Sequence, residues 1–544
     1  MPSLSPKTNI LGFDNAYHLL RRTTYNITKA RILEYSVKTP QDAITALFTF
    51  TAPSPPSPLN NLGETIVPTA ANPTVTDSQN TVNSVRNDLF WWLYSALKDN
   101  SAQHRIAFFL HLMFVADDNA SFWTNYDYKE LLRFHTNGSL KDLAVRMTMN
   151  PRMLTFLNNN LNQNTSPNQN YAREFLELFT ILKGPQIATG NYTNYTEVDV
   201  QQAAKVLTGL TLTNTIQLDK TARLTSLDPL TNLPTGEIKI NKHDTGSKTF
   251  SSAFSGQTIA GGNTEAAIKS ELQNFVNMVF NQEETAKAYC RRIYRYFVGR
   301  EITTDIENGI IVPMATALKA DNYNILPVLG TLLKSKHFYD EEDAISGDQT
   351  YGSLARSPID LYLHMFSILQ LQMPPYATNP SAIHSLMNVV NTYSTNMGLP
   401  IFRPQSVNGY SGYSSSPNYD KNWITTSSLR IRYNNTIDYL INGLTYNGFL
   451  FKLNTPAFVR DSGYFSAPGN ADTLLNEFLE MMFAFVPTGS RYDELKTAFL
   501  NNLSVTNWNN EWNAYLNTNN ATSVKIALDR LVKAVIKSPE FQIM

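Results

Sequence analysis

Apolar residues recur every three to four positions through most of this chain, the spacing that lines them up on one face of a helix. The pattern predicts helices from residues 15–23 near the start to 523–536 at the end, with strongly apolar ones at 85–97, 102–115, 263–280, 283–298 and 358–371. It is densest at 166–182. There Tyr171, Phe175, Leu178, Phe179 and Leu182 form one stripe, and Leu176 and Ile181 lie outside it, so this helix is expected to meet neighbours on most sides. Ser166, Pro167 and Gln169 predict a capping box with proline at the first helical position, and Gly184-Pro185 a stop. Arg173, Glu174 and Glu177 are left in the remaining polar sector, where a covered carboxylate needs a cation, a donor or a metal.

Alternation of period two is confined to 212–260, where Glu237-Ile-Lys-Ile-Asn precedes the turn His243-Asp-Thr-Gly-Ser-Lys248 and predicts a small β-hairpin insertion. Two segments carry no periodicity. Residues 51–81 are rich in Pro, Ser, Thr and Asn, and 397–426 in Gly, Ser, Asn and Tyr, the composition of long surface loops that carry contacts with partners. The acidic run Asp340-Glu-Glu-Asp343 suggests a boundary between an N-terminal helical domain, 1–343, and a C-terminal one, 344–544. The expected fold is mainly α, a multi-helical array with a small β-hairpin insertion and long polar loops. A loose repeat adds to this: aromatic helices run into Phe114-Val115, Phe297-Val298 and Phe485-Val486.

Composition narrows the function classes. Hydrophobic residues at 42% and charged ones at 16% describe a globular chain, and 44 Lys+Arg against 45 Asp+Glu give no net field for nucleic acid. The single Cys290 excludes an intrachain disulfide framework and multi-cysteine metal sites. The first residues show no basic region followed by an apolar run, and no apolar stretch reaches the roughly 18 residues of a membrane helix. By sequence the chain is therefore expected to stay in the cytoplasm.

The familiar catalytic patterns are absent, and Gly246-Ser-Lys-Thr249 fails as a phosphate loop because lysine does not directly follow the glycine. A candidate polar cluster remains: His18, Arg21, Arg22, Arg173, Glu174, Glu177, His243, Asp244 and Lys248. Glu174 and Glu177 share a helix face, and with His243 and Asp244 they form a ligand set suited to a divalent metal. The competing and favoured reading is structural. Arg21 or Arg22 pairs with Glu174 or Glu177, and His243-Asp244 forms a turn. His111, among Phe108, Phe109, Leu112 and Phe114, is read as a satisfied core residue, and Arg291, Arg292 and Arg295 as a charged helix face in preference to an anion site.

The run Pro167-Asn-x-Asn-Tyr-Ala-Arg-Glu-x-Leu-Glu-Leu-Phe-Thr180 closely resembles the signature of a bacterial family catalogued as domain of unknown function eighteen hundred. Other landmarks follow in the family's order: His18-Leu-Leu-Arg21-Arg22, Asn150-Pro-Arg-Met-Leu, Tyr195-Thr-Glu-x-Asp-Val, Leu207-Thr-Gly209, His243-Asp-x-Gly-x-Lys248, Pro404-Gln-Ser-Val-Asn-Gly409 and Ser538-Pro-Glu-Phe541. The resemblance brings no established activity and no cofactor. It implies that relatives are often exported, and it offers a candidate partner, since relatives are typically encoded beside a protein resembling the alkaline-phosphatase and sulfatase fold. The function expected is a non-catalytic helical scaffold or partner-binding subunit; the alternative is a metal-dependent hydrolase using Glu174, Glu177, His243 and Asp244.

Overall fold

A computed structural model describes residues 2–68, 86–117, 122–212, 226–341, 349–435 and 438–544. Helices dominate, and their starts follow the local chemistry of the sequence. Asn150 accepts from the N–H groups of Arg152 (3.0 Å) and Met153 (3.3 Å) with Pro151 in the first turn, and Thr196 and Asp199 form a reciprocal capping box ahead of the Glu197–Val206 helix. Apolar faces from Leu11 to Phe541 join in one continuous buried core rich in aromatic rings, including Trp91, Trp92, Trp423 and Trp508.

The central helix starts later than expected. Ser166 bridges back to Gln163, and the Asn168 carboxamide accepts from Asn170 N at 2.9 Å, so the α-helical turns run only over Asn170–Glu174. They open into a π-helical stretch, Phe175–Phe179, and close where Leu182 N–H donates to Leu176 O with Leu182 at φ 64° and Gly184 at φ 68°. This widening turns Tyr171, Phe175, Leu176 and Phe179 into the core and leaves Glu174 and Glu177 partly covered. Full burial therefore holds for Tyr171, Phe175, Leu176, Phe179 and Ile181, and not for Leu178, Leu182 or the carboxylates.

Among the described residues four two-stranded antiparallel ladders complete the fold. Strand β3 (Leu210–Thr211) pairs with β4 (Glu237–Ile238), and β5 (Lys248–Thr249) with β6 (Thr258–Ile259), within or at the edge of the expected insertion. The other two lie outside it: β1 (Gln186–Ala188) with β2 (Asn191–Tyr192), and β7 (Leu444–Tyr446) with β8 (Phe449–Phe451). Their strands are two or three residues long, too short for alternation to register, and their turns are marked by Gly190 at φ 73° and by Asn447 and Gly448 at φ 47° and 78°.

The Pro40–Leu47 and Val505–Thr518 helices were not expected; the second buries Trp508, Trp512 and Tyr515 at helical spacing inside an otherwise polar run. Of the three Phe-Val helix ends, the first two are buried, while Phe485 is 54% exposed and lies beyond the end of the Ala471–Met482 helix. Buried contacts cross residue 343 at several points. Arg22 Nη2 donates to Thr350 O (2.7 Å) and Met544 O (2.8 Å), Arg105 pairs with Asp360, and Arg300 with Asp420. Among the described residues no helix is long and apolar enough to cross a membrane.

Candidate functional site

The nine residues of the expected cluster fall in three separate places. His18, Arg21 and Arg22 are buried in the Gly12–Thr23 helix. The His18 ring stacks on Tyr351 at 4.1 Å, the Arg21 guanidinium lies 4.9 Å from the Tyr17 ring, and Arg22 also donates to Ser353 Oγ at 3.0 Å. Burial lowers the Arg21 pKa to about 10 and holds His18 well below the usual histidine range.

The predicted contact of Arg21 or Arg22 with Glu174 or Glu177 does not form. The second group meets its own cations instead. Arg173 pairs with Glu197 at 2.9 Å, and Glu177 accepts from Lys183 Nζ at 2.5 Å and Tyr195 OH at 3.0 Å. The reason is local: the turn after the π stretch brings Lys183 back beside Glu177, while Arg22 is committed to carbonyl oxygens at the other end of the chain. Glu174 Oε2 is buried without a hydrogen-bond partner, and burial, then the charge of Glu177, raise its pKa to about 7.

The third group is a closed network. His243 Nδ1 lies 2.7 Å from Thr208 O and its Nε2 3.0 Å from Glu271 Oε2; Lys248 Nζ lies 2.6 Å from Glu271 Oε1, and Gly262 N–H donates to Glu271 Oε2 at 2.7 Å. Asp244 Oδ1 accepts from Gly246 N at 2.9 Å, which makes this segment the turn that was the favoured reading. Glu271, the buried acid at the centre, carried no signal in sequence because it sits in an ordinary helix, 23 positions beyond Lys248. Glu174, Glu177, His243 and Asp244 are not gathered, and among the described residues no three His, Cys, Asp or Glu side chains are placed to hold one metal ion.

A cavity of about 470 Å³ lies elsewhere, between the Glu283–Phe297 helix, the end of the Gln103–Met113 helix, the π stretch and the loop around 407–423. Leu112, Met113, Val115, Leu178 and Leu182 give it apolar lining, and the rest is aromatic and polar. Gly412 lets the Trp423 indole lie directly on the backbone, because a Cβ there would sit 2.0 Å from Trp423 Cε2. His111 holds Tyr410 in the wall through Nε2 at 3.0 Å, and its Nδ1 lies 2.7 Å from Tyr128 OH, which itself donates to Phe114 O. His111 is thus the satisfied core residue expected of it.

The charges in the cavity do not balance locally. Asp360 is taken by Arg105 and Ser357 Oγ (2.7 Å), and Asp420 by Arg300 (2.7 and 2.8 Å) and Ala355 N (2.6 Å). Arg291 is neutralised by Glu307 and Glu284 at 2.6 and 3.1 Å. Arg292 donates to Leu178 O and has Met113 Sδ 3.6 Å from Nη1. Arg295 stacks on the Tyr419 ring at 4.9 Å, and its Nε is buried with no hydrogen-bond partner. Neither Arg292 nor Arg295 meets a carboxylate among the described residues. Burial lowers both pKa values, that of Arg292 to about 10. The charged-face reading therefore fits Arg291 alone. The sequence did not separate them: none of the three arginines has an acid three or four places away, and Glu307, the nearer partner of Arg291, stands 16 positions on.

Residues 18–543 match the family described as "Protein of unknown function (DUF1800)". The chain belongs to this family. In this DUF1800 protein two landmarks of the sequence meet at the cavity: the run ending Leu176-Glu-Leu-Phe-Thr180 supplies Leu178 and Phe179, and Pro404-Gln-Ser-Val-Asn-Gly409 supplies Val407, Asn408 and Gly409. The His243 to Lys248 landmark is the buried network, and His18 to Arg22 the tie to residues 350–353 and 544. No curated protein and no solved structure matches the chain.

Proposed function

We propose that this DUF1800 chain is a non-catalytic helical binding subunit that receives a segment of a partner protein in the cavity beside the Glu283–Phe297 helix. The observation that carries this reading is the cavity itself: about 470 Å³, lined by apolar, aromatic and polar side chains, with Arg292 and Arg295 presented to it without a carboxylate partner among the described residues. Two further points support it. Glu174 and Glu177 lie apart from His243 and Asp244, and His243 is engaged at both ring nitrogens. The acids that line the cavity, Asp360 and Asp420, are held in ion pairs, which leaves no free general base among them.

The partner offered by the family resemblance is a protein of the alkaline-phosphatase and sulfatase fold. The test is quantitative co-purification from the native cell with a tagged chain, comparing wild type with Ser414→Trp, which fills the cavity from its exposed rim. A partner retained by wild type and lost by the variant is expected. Retention at the wild-type ratio by a folded Ser414→Trp protein would sink the proposal.

A further inference from the structure

We infer that the segment bound in the cavity is acidic, an aspartate or glutamate side chain flanked by an apolar residue, with its carboxylate held by Arg292 and Arg295. This rests on the reading of the cavity as a segment-binding site. The argument begins from donors and acceptors. Asp360 and Asp420 have donors of their own, so the lining acids do not call for a cationic ligand. The donors are in excess: Arg295 Nε and Trp423 Nε1 are both buried without an acceptor, and Trp423 is only 1% exposed. A buried donor without a partner is costly, so an acceptor brought into the cavity by a ligand would stabilise both atoms.

Geometry narrows the ligand further. Arg292 and Arg295 stand three residues apart and so on one side of the helix, with Arg295 steadied by the Tyr419 ring at 4.9 Å. A guanidinium plane offers paired N–H groups that match the two oxygens of a carboxylate. Beyond the arginines, Leu112, Val115, Leu178 and Leu182 provide an apolar surface for the neighbouring side chain. Both arginines are supplied by the same short stretch of helix, so the anion and the apolar neighbour are read together.

The experiment is isothermal titration of the full chain at low ionic strength with acetyl-Leu-Glu-Phe-amide, with its glutamine counterpart, and with propionate as a carboxylate lacking a segment. The Glu peptide is expected to bind at least about tenfold more tightly than either comparison, with affinity falling as salt is added. Arg295→Met is expected to abolish the preference for Glu over Gln without lowering the thermal midpoint of the free protein, because it removes a buried charge that no carboxylate compensates. Equal binding of the Glu and Gln peptides overturns the acidic inference and leaves the cavity as a segment site. Propionate binding as tightly as the Glu peptide assigns the site to free small acids and overturns the inference. No binding of any of the three at millimolar concentration also overturns it, and co-purification through the Ser414 rim then stands as a separate question. An Arg295→Met protein that melts lower and keeps the Glu preference shows a structural arginine and refutes the assignment.

Discussion

Glu271 provides the sharpest test of how this fold holds its charges. Its carboxylate is fully buried, as are the side chains of His243 and Lys248, and it accepts from Lys248 Nζ at 2.6 Å, Gly262 N at 2.7 Å and faces His243 Nε2 at 3.0 Å. Glu271→Gln keeps the shape and removes the charge, so the Lys248 ammonium is left in the interior with Asp244 as its remaining contact. Breaking one side of a buried pair costs about 3–5 kcal/mol, a large share of the roughly 5–15 kcal/mol that separates folded from unfolded domains. With a urea dependence of about 3 kcal/mol per molar, the unfolding midpoint should fall by roughly 1–1.7 M, followed by circular dichroism. Glu271→Leu combined with Lys248→Met should recover much of the loss, since both charges leave together. A Glu271→Gln protein within about 1 kcal/mol of wild type would refute the reasoning, as would a chelator that reproduces the loss in wild type.

Four other outcomes follow from the same contacts. Burial lowers the pKa of His111 and His364 to about 3 and of His135 and His384 to about 4; the unfolded chain then binds more protons below pH 6.5, so stability should fall from about pH 6.5 towards 4 by about 1.4 kcal/mol per pH unit for each histidine titrating. His135→Leu, at a ring with both nitrogens unpartnered, should flatten that fall in urea titrations, and an unchanged slope would contradict the assignment. Glu174 has the opposite sign: with its pKa raised to about 7, its favourable contribution is present below about pH 4.5 and lost as pH rises through 7, so Glu174→Gln should match wild type in acid and exceed it at pH 8 by on the order of 1 kcal/mol, discounted for the solvent the group still meets. Gly412→Ala should displace the Trp423 indole, shift its fluorescence and cost about 1–3 kcal/mol; an unshifted spectrum would show that the loop yields freely. Arg22→Lys should lose at least two of three acceptors, Thr350 O, Ser353 Oγ and Met544 O, for roughly 2–3 kcal/mol in thermal unfolding, and a silent substitution would remove the arginine's role in joining residues 350–353 and 544 to the first helix.

Helices were legible because their signal is local. Thr28 and Thr196 start helices as their side chains predict, Asn150-Pro151 breaks one helix and begins the next, and the stripes of 265–280 and 283–297 bury as their spacing requires. What could not be read is pairing between distant segments. Glu177 chose Lys183 because a π turn, which no propensity announces, redirects the chain at Thr180. Glu271 was invisible as the partner of His243 and Lys248, although those two residues stood out by motif. The cavity depends on a loop rich in Tyr and Gly meeting a helix more than 110 residues earlier, and the three arginines on that helix have the same local spacing whether or not an acid meets them in the fold.

The contrast between Arg22 and Arg295 decides how this excess of buried cations is to be understood. Both lack a carboxylate among the described residues, and both keep Nε unpartnered. Arg22, however, spends one terminal nitrogen on three oxygens at 2.7, 2.8 and 3.0 Å drawn from residues 350, 353 and 544, so its burial fastens the last residues of the chain to the first helix. Arg295 has only the face of Tyr419, in a wall that opens on a cavity. Stacking stabilises a guanidinium by about 0.5–2 kcal/mol and uses none of its N–H groups. Arg21, equally without a carboxylate among the described residues and with Nε and Nη1 unpartnered, lies over the Tyr17 ring inside the core, so it is the cavity, and not the missing acceptor alone, that sets Arg295 apart and makes it the residue for the proposed carboxylate to meet.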